Sequence, residues 1–519
     1  MKNITKYLII VAGIVLGFAC VKEPTMSATE IEQRSLKAWI EKYHAERLEN
    51  DQEEGGYYVE ILDRAVQDSL PITGKDAWLW VDFTARDLQG NVCETRSWEL
   101  ALQQNTYNNH THYTPVFRFS GKDSHTLLEG SYLAIFNKLK IGDEEFEARY
   151  GTRLRLYLPS TVTSSNTGGT ADGGYEGQYE LDGDKPAIVD MMVYGHITNP
   201  VAYEGNRVDS FANINGGLCT EHKAEPKEDA ESAEKSMRRR ITRADSEEGE
   251  EEVDTRPLEF FDGRWHQPID TLAQLYVNYA YSPARNTFDY NAIGVDTLMY
   301  PGENGYDKGK IYGTTTLADI DRRINEALVE RFGEGITYDE VLEADSLKTK
   351  ATAKVWYIGR FLDGYVFDTN IDEVREIVFG DVGEAGEALS FETKKPLDND
   401  YILAWNYSLP TLRLGQWATI LTVSTYAYGI SGQVGAHSST TTGDTSAIDY
   451  ANYYNYMSYM NSMYGYGYGS MYNSGYYGYN PYYYGYNYVP SNTNTTTITT
   501  TATEIPSYSP MIFQVFVEK

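Results

Sequence analysis

Lys354-Val-Trp-Tyr-Ile-Gly-Arg-Phe-Leu-Asp-Gly-Tyr-Val-Phe-Asp368 reads as a strand, a turn and a second short strand. Working outward, Trp405 through Gly429 gives a short helix, a turn at Leu414-Gly415-Gln416, a strand, and then Tyr426-Ala-Tyr428-Gly429. After a long interruption, Ile505-Pro506 leads into a final strand, Met511–Val517.

Joined up, these pieces resemble an FKBP-type peptidyl-prolyl isomerase domain. The resemblance rests on the pattern Tyr357-x-Gly359 followed by Asp363-Gly364-x-x-Phe367-Asp368, and on the ungapped spacing from Trp405 to Gly429. It implies an α+β fold in which an antiparallel sheet wraps on a short helix. Carried over residue by residue, it implies Tyr357, Phe367, Asp368, Trp405 and Tyr428 as catalytic positions. Trp405 would be the pocket floor and Tyr428 a hydroxyl donor. Phe391, Tyr401, Ile402, Ile505 and Phe513 would bind substrate, Ile402 through its backbone N–H. Ala404, Pro410 and Ser507 depart from the usual residues. The reaction requires no nucleophile, metal or cofactor. The barrier to amide rotation, roughly 18–20 kcal/mol, comes from resonance that is lost at the twisted transition state. A dry aromatic pocket with a few fixed hydrogen bonds is enough to lower it. The substrates implied are proline-containing polypeptides.

The bounds of composition agree. The chain has 519 residues, 41% of them hydrophobic, and a net charge of −31. That acidity argues against a nucleic-acid partner, because a phosphate backbone would be repelled. Three cysteines, Cys20, Cys93 and Cys219, form neither a disulfide framework nor a zinc spacing. A Cys93–Cys219 bridge stays open beside the simpler reading of two separate thiols.

Lys2 and Lys6 precede an apolar run, Tyr7–Phe18, of signal-peptide length. The run is shorter than the ~20 residues a spanning helix needs. Gly17-Phe18-Ala19-Cys20 resembles a bacterial lipobox, which implies a signal peptide over 1–19, lipid attachment at Cys20 and a place in the cell envelope, on the periplasmic or surface face of the outer membrane. A plain secretory signal with an incidental cysteine is the alternative. Residues 20–55 then form a spacer with an amphipathic helix, opened by the capping-box pattern Thr29-Glu-Ile-Glu32.

From Gly56 the periodicity changes to two. Trp78, Trp80 and Asp82 alternate with Leu79, Val81 and Phe83, and strands follow at Arg153–Leu158 and Ala187–Ile197. This order is similar to that of the C-terminal domain, so 56–220 reads as a degenerate FKBP-like copy. Phe83 stands where the family has tyrosine and Cys93-Glu94 where it has Phe-Asp, which implies a structural or binding module. His110 and His112 lack a third ligand nearby and read as exposed loop residues. The charged stretch 221–255 reads as a disordered acidic linker. An accessory region, 256–345, carries a strand near Leu275–Tyr281 and a helix from Thr316 to Gly333. The isomerase domain spans 346–519, with a Tyr-rich low-complexity insertion at 430–504. Within it, Tyr450–Tyr488 holds 17 of the chain's 45 tyrosines.

Two functions remain in view. One is an envelope-anchored isomerase that assists the folding of exported proteins. The other is an inactive FKBP-like surface lipoprotein that binds polypeptide or glycan through the Tyr-rich arm.

Overall fold

The computed structural model describes residues 27–44, 50–51, 57–65, 69–88, 90–141, 144–163, 186–219, 261–269, 271–285, 287–290, 312–347, 352–380, 385–393, 400–433, 436–442 and 495–519. Cys20, the charged linker and Tyr450–Tyr488 lie outside the described residues. Among those described, no helix is long and apolar enough to cross a membrane.

The fold is α+β. It opens on α1 (Ala28–His44), whose cap lies two residues earlier than the sequence pattern suggested. Glu30 N–H donates to Ser27 Oγ and Ser27 N–H to the Glu30 carboxylate, at 3.2 and 3.0 Å. Glu32 is thereby free to accept the N–H and hydroxyl of Ser160, at 2.6 and 2.7 Å. Leu36 and Ile40 pack on Tyr58 and Tyr157.

The first sheet contains β1 (Tyr58–Asp63), β2 (Trp78–Arg86), β3 (Val92–Thr95), β4 (Val116–Phe119), β5 (Arg153–Leu158) and β6 (Ala187–Ile197), with α2 (Glu129–Phe136) packed against it. Its strand order is β1-β5-β6-β2-β3, with β4 also pairing to β2 and a two-residue strand, Asn50–Asp51, pairing with β1 at that edge. Along β2 the alternation resolves as expected: Leu79, Val81 and Phe83 are buried, and Trp78, Trp80 and Asp82 are partly exposed. That is the pattern of a sheet with one face in the core.

Next comes α3 (Pro200–Ile214), capped by the Asn199 side chain accepting the Ala202 N–H at 3.1 Å. Its Val208, Phe211 and Ala212 belong to the core of the second sheet, with Trp265. The expected end of the first unit at 220 is therefore corrected: residues 200–219 pack on the second.

That second sheet contains β7 (Leu275–Asn278), then, after α4 (Leu317–Phe332), β8 (Thr352–Phe361) and β9 (Val366–Thr369). α5 (Asp372–Phe379), β10 (Leu389–Glu392), α6 (Leu403–Ser408), β11 (Trp417–Thr422) and β12 (Met511–Val517) complete it. The order is β7-β11-β12-β8-β9, with β10 also pairing to β8. Apart from the edge strand Asn50–Asp51, the two sheets share one strand order. α4 runs between the expected cap Thr316, whose side chain accepts the Asp319 N–H at 3.3 Å, and Gly333 at φ 76°.

Two expectations change here. The region 256–345 supplies a strand of the sheet itself: β7 pairs with β11 from Leu275↔Thr422 to Asn278↔Thr419. Its ladder partner is far along the chain, so local pattern could not reveal the pairing. The insertion 430–504 is also more ordered at its ends than its composition implied. Ala436–Thr442 pairs antiparallel with Thr495–Ala502, as threonine-rich, β-branched segments favour. Cys93 and Cys219 are not bridged to each other.

Candidate active site

The second sheet and its short helix α6 bring the expected residues into one aromatic cluster. β8 supplies Tyr357, β9 supplies Phe367 and Asp368, and β12 supplies Phe513. Trp405 sits in α6, which begins at the N-cap Ile402 because the chain changes there from extended (φ −58°, ψ 146°) to helical. The Trp405 ring, only 6% exposed, meets Tyr357 edge-on at 4.9 Å and Phe513 at 5.4 Å between centroids. Phe367 meets Phe513 at 6.0 Å and Tyr428 at 6.1 Å, both nearly perpendicular. Tyr401 lies 5.9 Å from Trp405 and stacks on Phe391 at 6.0 Å. These separations lie in the range where aromatic quadrupoles favour edge contacts. Ile505 is buried in the same core and Ile402 packs against it. Of the ten residues singled out from the sequence, five are buried in one hydrophobic core and Tyr357, Tyr401, Ile402 and Tyr428 pack against it; Asp368 lies at its polar edge.

One polar edge interrupts this lining. Tyr357 Oη donates to Asp368 Oδ2 at 2.5 Å. Burial pushes the Asp368 carboxyl above the usual range, while the Tyr357 hydroxyl, the Thr369 N–H and Arg375 pull it back. Burial, reinforced by the Asp368 charge, also raises both the Tyr357 and Tyr428 phenols, so they stay protonated donors at neutral pH.

Three donors are unspent. The Tyr428 hydroxyl and the Ile402 N–H have no hydrogen-bond partner among the described residues. Nor does the buried Trp405 Nε1–H. Of the three only the Trp405 donor is fully buried, where an unmet hydrogen bond costs free energy; Ile402 and Tyr428 are half-buried.

No protein-family model matches the chain, and neither does any curated protein. Among solved structures, a peptidyl-prolyl cis-trans isomerase from Pseudomonas syringae aligns over 32% of this chain and 60% of its own, at 12% identity and a TM-score of 0.14. FkpA from Escherichia coli aligns over 32% of this chain and 38% of its own, at 18% identity and a TM-score of 0.14. The three FKBP domains of wheat FKBP73 align over 90% and 95%, at 10% identity and a TM-score of 0.18. The chain therefore spans about three-fifths of the first protein's length and under two-fifths of the second's. At such TM-scores the likeness carries no weight for the fold, which stands on the strand order and register of the chain itself.

Register ties the first unit to the second more closely. In both, the second-to-third strand pairing has a bulge at the matched position: Gly359 opposes Asp368 and Arg360 opposes Val366, as Ala85 opposes Glu94 and Arg86 opposes Val92. Phe83, Cys93 and Glu94 are thus the counterparts of Tyr357, Phe367 and Asp368. The buried Glu94 is bridged by Arg96 at 2.8 Å, and Arg96 lies 5.4 Å over the Phe83 ring. An ion pair occupies what is a polar edge beside an aromatic cluster in the second unit.

The sequence reading missed how the units meet. His110 and His112 are half-buried, not exposed. His110 stacks on Phe379 at 4.0 Å. His112 bonds Asp363 at 2.8 Å and stacks on Tyr365 at 4.4 Å. A His-x-His beside Asn and Tyr carries no sign of its distant aromatic partners, so no local signal could have found them. Among the described residues no group of three or more potential ligands could hold a metal.

Proposed function

We propose that the second unit is an FKBP-type peptidyl-prolyl cis-trans isomerase. The observation that carries this reading is the aromatic cluster of Tyr357, Phe367, Trp405, Tyr428 and Phe513 with unspent donors at Ile402 and Tyr428. A prolyl ring would rest on Trp405, walled by Phe367, Phe513 and Ile505. The Ile402 N–H and the Tyr428 hydroxyl would hold substrate carbonyls, with Phe391 and Tyr401 supporting the floor. Rotation breaks no covalent bond. The apolar lining disfavours the polar planar amide relative to the twisted one, and the donors fix which groups rotate. The Tyr357–Asp368 pair forms the polar edge of the pocket.

In the same reading the first unit is a degenerate, non-catalytic copy, because Phe83, Cys93 and Glu94 cannot rebuild that lining. Cys20 would tether the protein to the bacterial envelope by lipid, and its clients would be exported polypeptides containing proline. The test is isomerisation of a Xaa-Pro peptide by the purified full chain. Turnover above the uncatalysed rate, lost in Phe367→Ala with the fold intact, supports the reading; a rate equal to buffer overturns it.

A second reading has its own observation. The Ala436–Thr442/Thr495–Ala502 ladder holds the ends of the Tyr-rich arm beside the bridge between Gln433 and Ile505. On that basis the chain would be a binding protein for polypeptide or glycan. Loss of ligand capture on deleting 450–488, with Trp405→Ala silent, would favour it.

A further inference from the structure

The turn that carries Tyr428, at one side of the aromatic cluster, is held from outside its own sheet. Ser424 begins the short 3₁₀ turn, Ser424–Tyr426, that leads to Tyr428. Its carbonyl accepts the N–H groups of Ala427 and Gly429, at 2.9 and 2.8 Å. Its own two donors leave the turn altogether. Ser424 N–H donates to Glu204 Oε1, and Ser424 Oγ donates to Glu204 Oε2 at 2.9 Å. Glu204 is 1% exposed and lies on α3, far upstream in the chain.

The segment around Ile505, which is buried in the same core, is tied in the same way. Gln433 and Ile505 exchange two backbone bonds at 2.9 and 2.8 Å, and Tyr508 N–H donates to Ile430 O at 3.2 Å. Tyr508 then meets Trp78 of β2 edge-on at 4.9 Å, and Glu504 pairs with Arg96 at 3.2 Å. A turn of three 3₁₀ residues, followed by Ala427 at φ −119°, ψ −108° and Gly429 at φ 79°, has little regular structure of its own to keep Tyr428 in place. The outside contacts do that.

We propose that Glu204 is a positioning residue for the pocket: by binding both donors of Ser424 it fixes the turn that carries Tyr428, and the preceding unit holds the segment around Ile505. The inference rests on the isomerase reading of that pocket. The first unit contributes through Trp78 and Arg96, its contacts to Tyr508 and Glu504.

The experiment compares the full chain with its Glu204→Ala and Glu204→Gln variants. Steady-state isomerisation of a Xaa-Pro tetrapeptide gives kcat and KM, and amide hydrogen exchange is followed over 424–433. Glu204→Ala is expected to lower kcat/KM about tenfold with KM raised, the mark of a misplaced group, and to speed exchange at Ala427 and Gly429. Glu204→Gln keeps one acceptor and should fall between. A merely structural role would lower the active fraction and leave KM unchanged; that result, or unchanged exchange in a folded Glu204→Ala, overturns the proposal. Should Glu204→Ala fail to fold, Ser424→Ala removes the hydroxyl bond alone and must still raise KM and speed exchange. An unsubstituted protein without isomerase activity sinks the isomerase reading instead, and exchange then decides whether Glu204 holds the turn.

Discussion

Gly359 shows how much the pocket depends on a missing atom. A Cβ there would stand 2.6 Å from the Phe367 ring, inside contact distance. At the matched place the first unit has Ala85 beside Cys93, so the added methyl and the lost aromatic ring go together. Gly359→Ala is expected to displace Phe367, to cost about 1–3 kcal/mol by overpacking, and to depress peptide isomerisation at least severalfold. Adding Phe367→Cys should recover the stability and leave the activity low, a pairing that denaturant melts and rate assays would separate. Asp82 supports a pH prediction. Although Asp82 keeps some surface exposure, desolvation of its carboxyl pushes it up to about 6, against the pull of Arg153 and Arg96. The folded state then binds this proton more tightly than the unfolded state, so the Asp82 contribution weakens stability as pH rises from about 4 to 6, by up to about 3 kcal/mol. Asp82→Asn should match the parent near pH 4 and exceed it near pH 7, measured as urea midpoints at both. At this scale the clustering of Tyr357, Phe367, Trp405 and Phe513 followed from their fixed order and spacing. His112, Glu204 and Arg96 were not legible, since each acts through a partner that only the fold brings close.

Among the elements, the strands at Arg153, Ala187 and Met511 were readable end to end because alternation or a run of apolar residues marks a strand locally. Ladder partners carry no such mark, and so β7 was read as part of an appendage and α3 as the end of the first unit. α4 joins the sheet by a polar link that periodicity could not foretell. Arg360, 1% exposed near the C-terminal end of β8, donates to Asp321 of α4 at 2.5 Å and to Gln514 of β12 at 2.9 Å. Burial alone would lower the Arg360 pKa, but Asp321 and the facing tyrosine hydroxyls outweigh it and keep the guanidinium charged. Asp321→Ala strands that charge in the core and should destabilise the protein by about 3–5 kcal/mol. Replacing both partners, as in Arg360→Met with Asp321→Leu, should cost clearly less than the single change. Thermal melts of the three variants test this; a single substitution no worse than the double would remove the ion pair as the link between α4 and the sheet.

For the molecule as a whole, the chain forms two antiparallel sheets, and its packing does not divide where the sequence suggested. The boundary expected at 346 separates the second sheet from β7, from α4 and from α3. Four side chains of α4, Leu317, Ile320, Ile324 and Leu328, are buried in its core. At about 1.5–3 kcal/mol for each buried aliphatic side chain, their contribution rivals the entire stability of an ordinary domain, about 5–15 kcal/mol. A fragment of residues 346–519 also exposes β11 as a raw edge, open to pairing with other copies. It should therefore be poorly folded or aggregated, whereas one of residues 199–519, which restores α3, β7 and α4, should melt cooperatively. That longer fragment still lacks Trp78 and Arg96, the outside ties of Tyr508 and Glu504. Its expected signature is a native-like melt with faster amide exchange at 502–508 and a lower isomerase rate than the full chain. Equal exchange and equal rate in the two would mean that the first unit adds nothing to the pocket, and would leave its retention to some separate binding role.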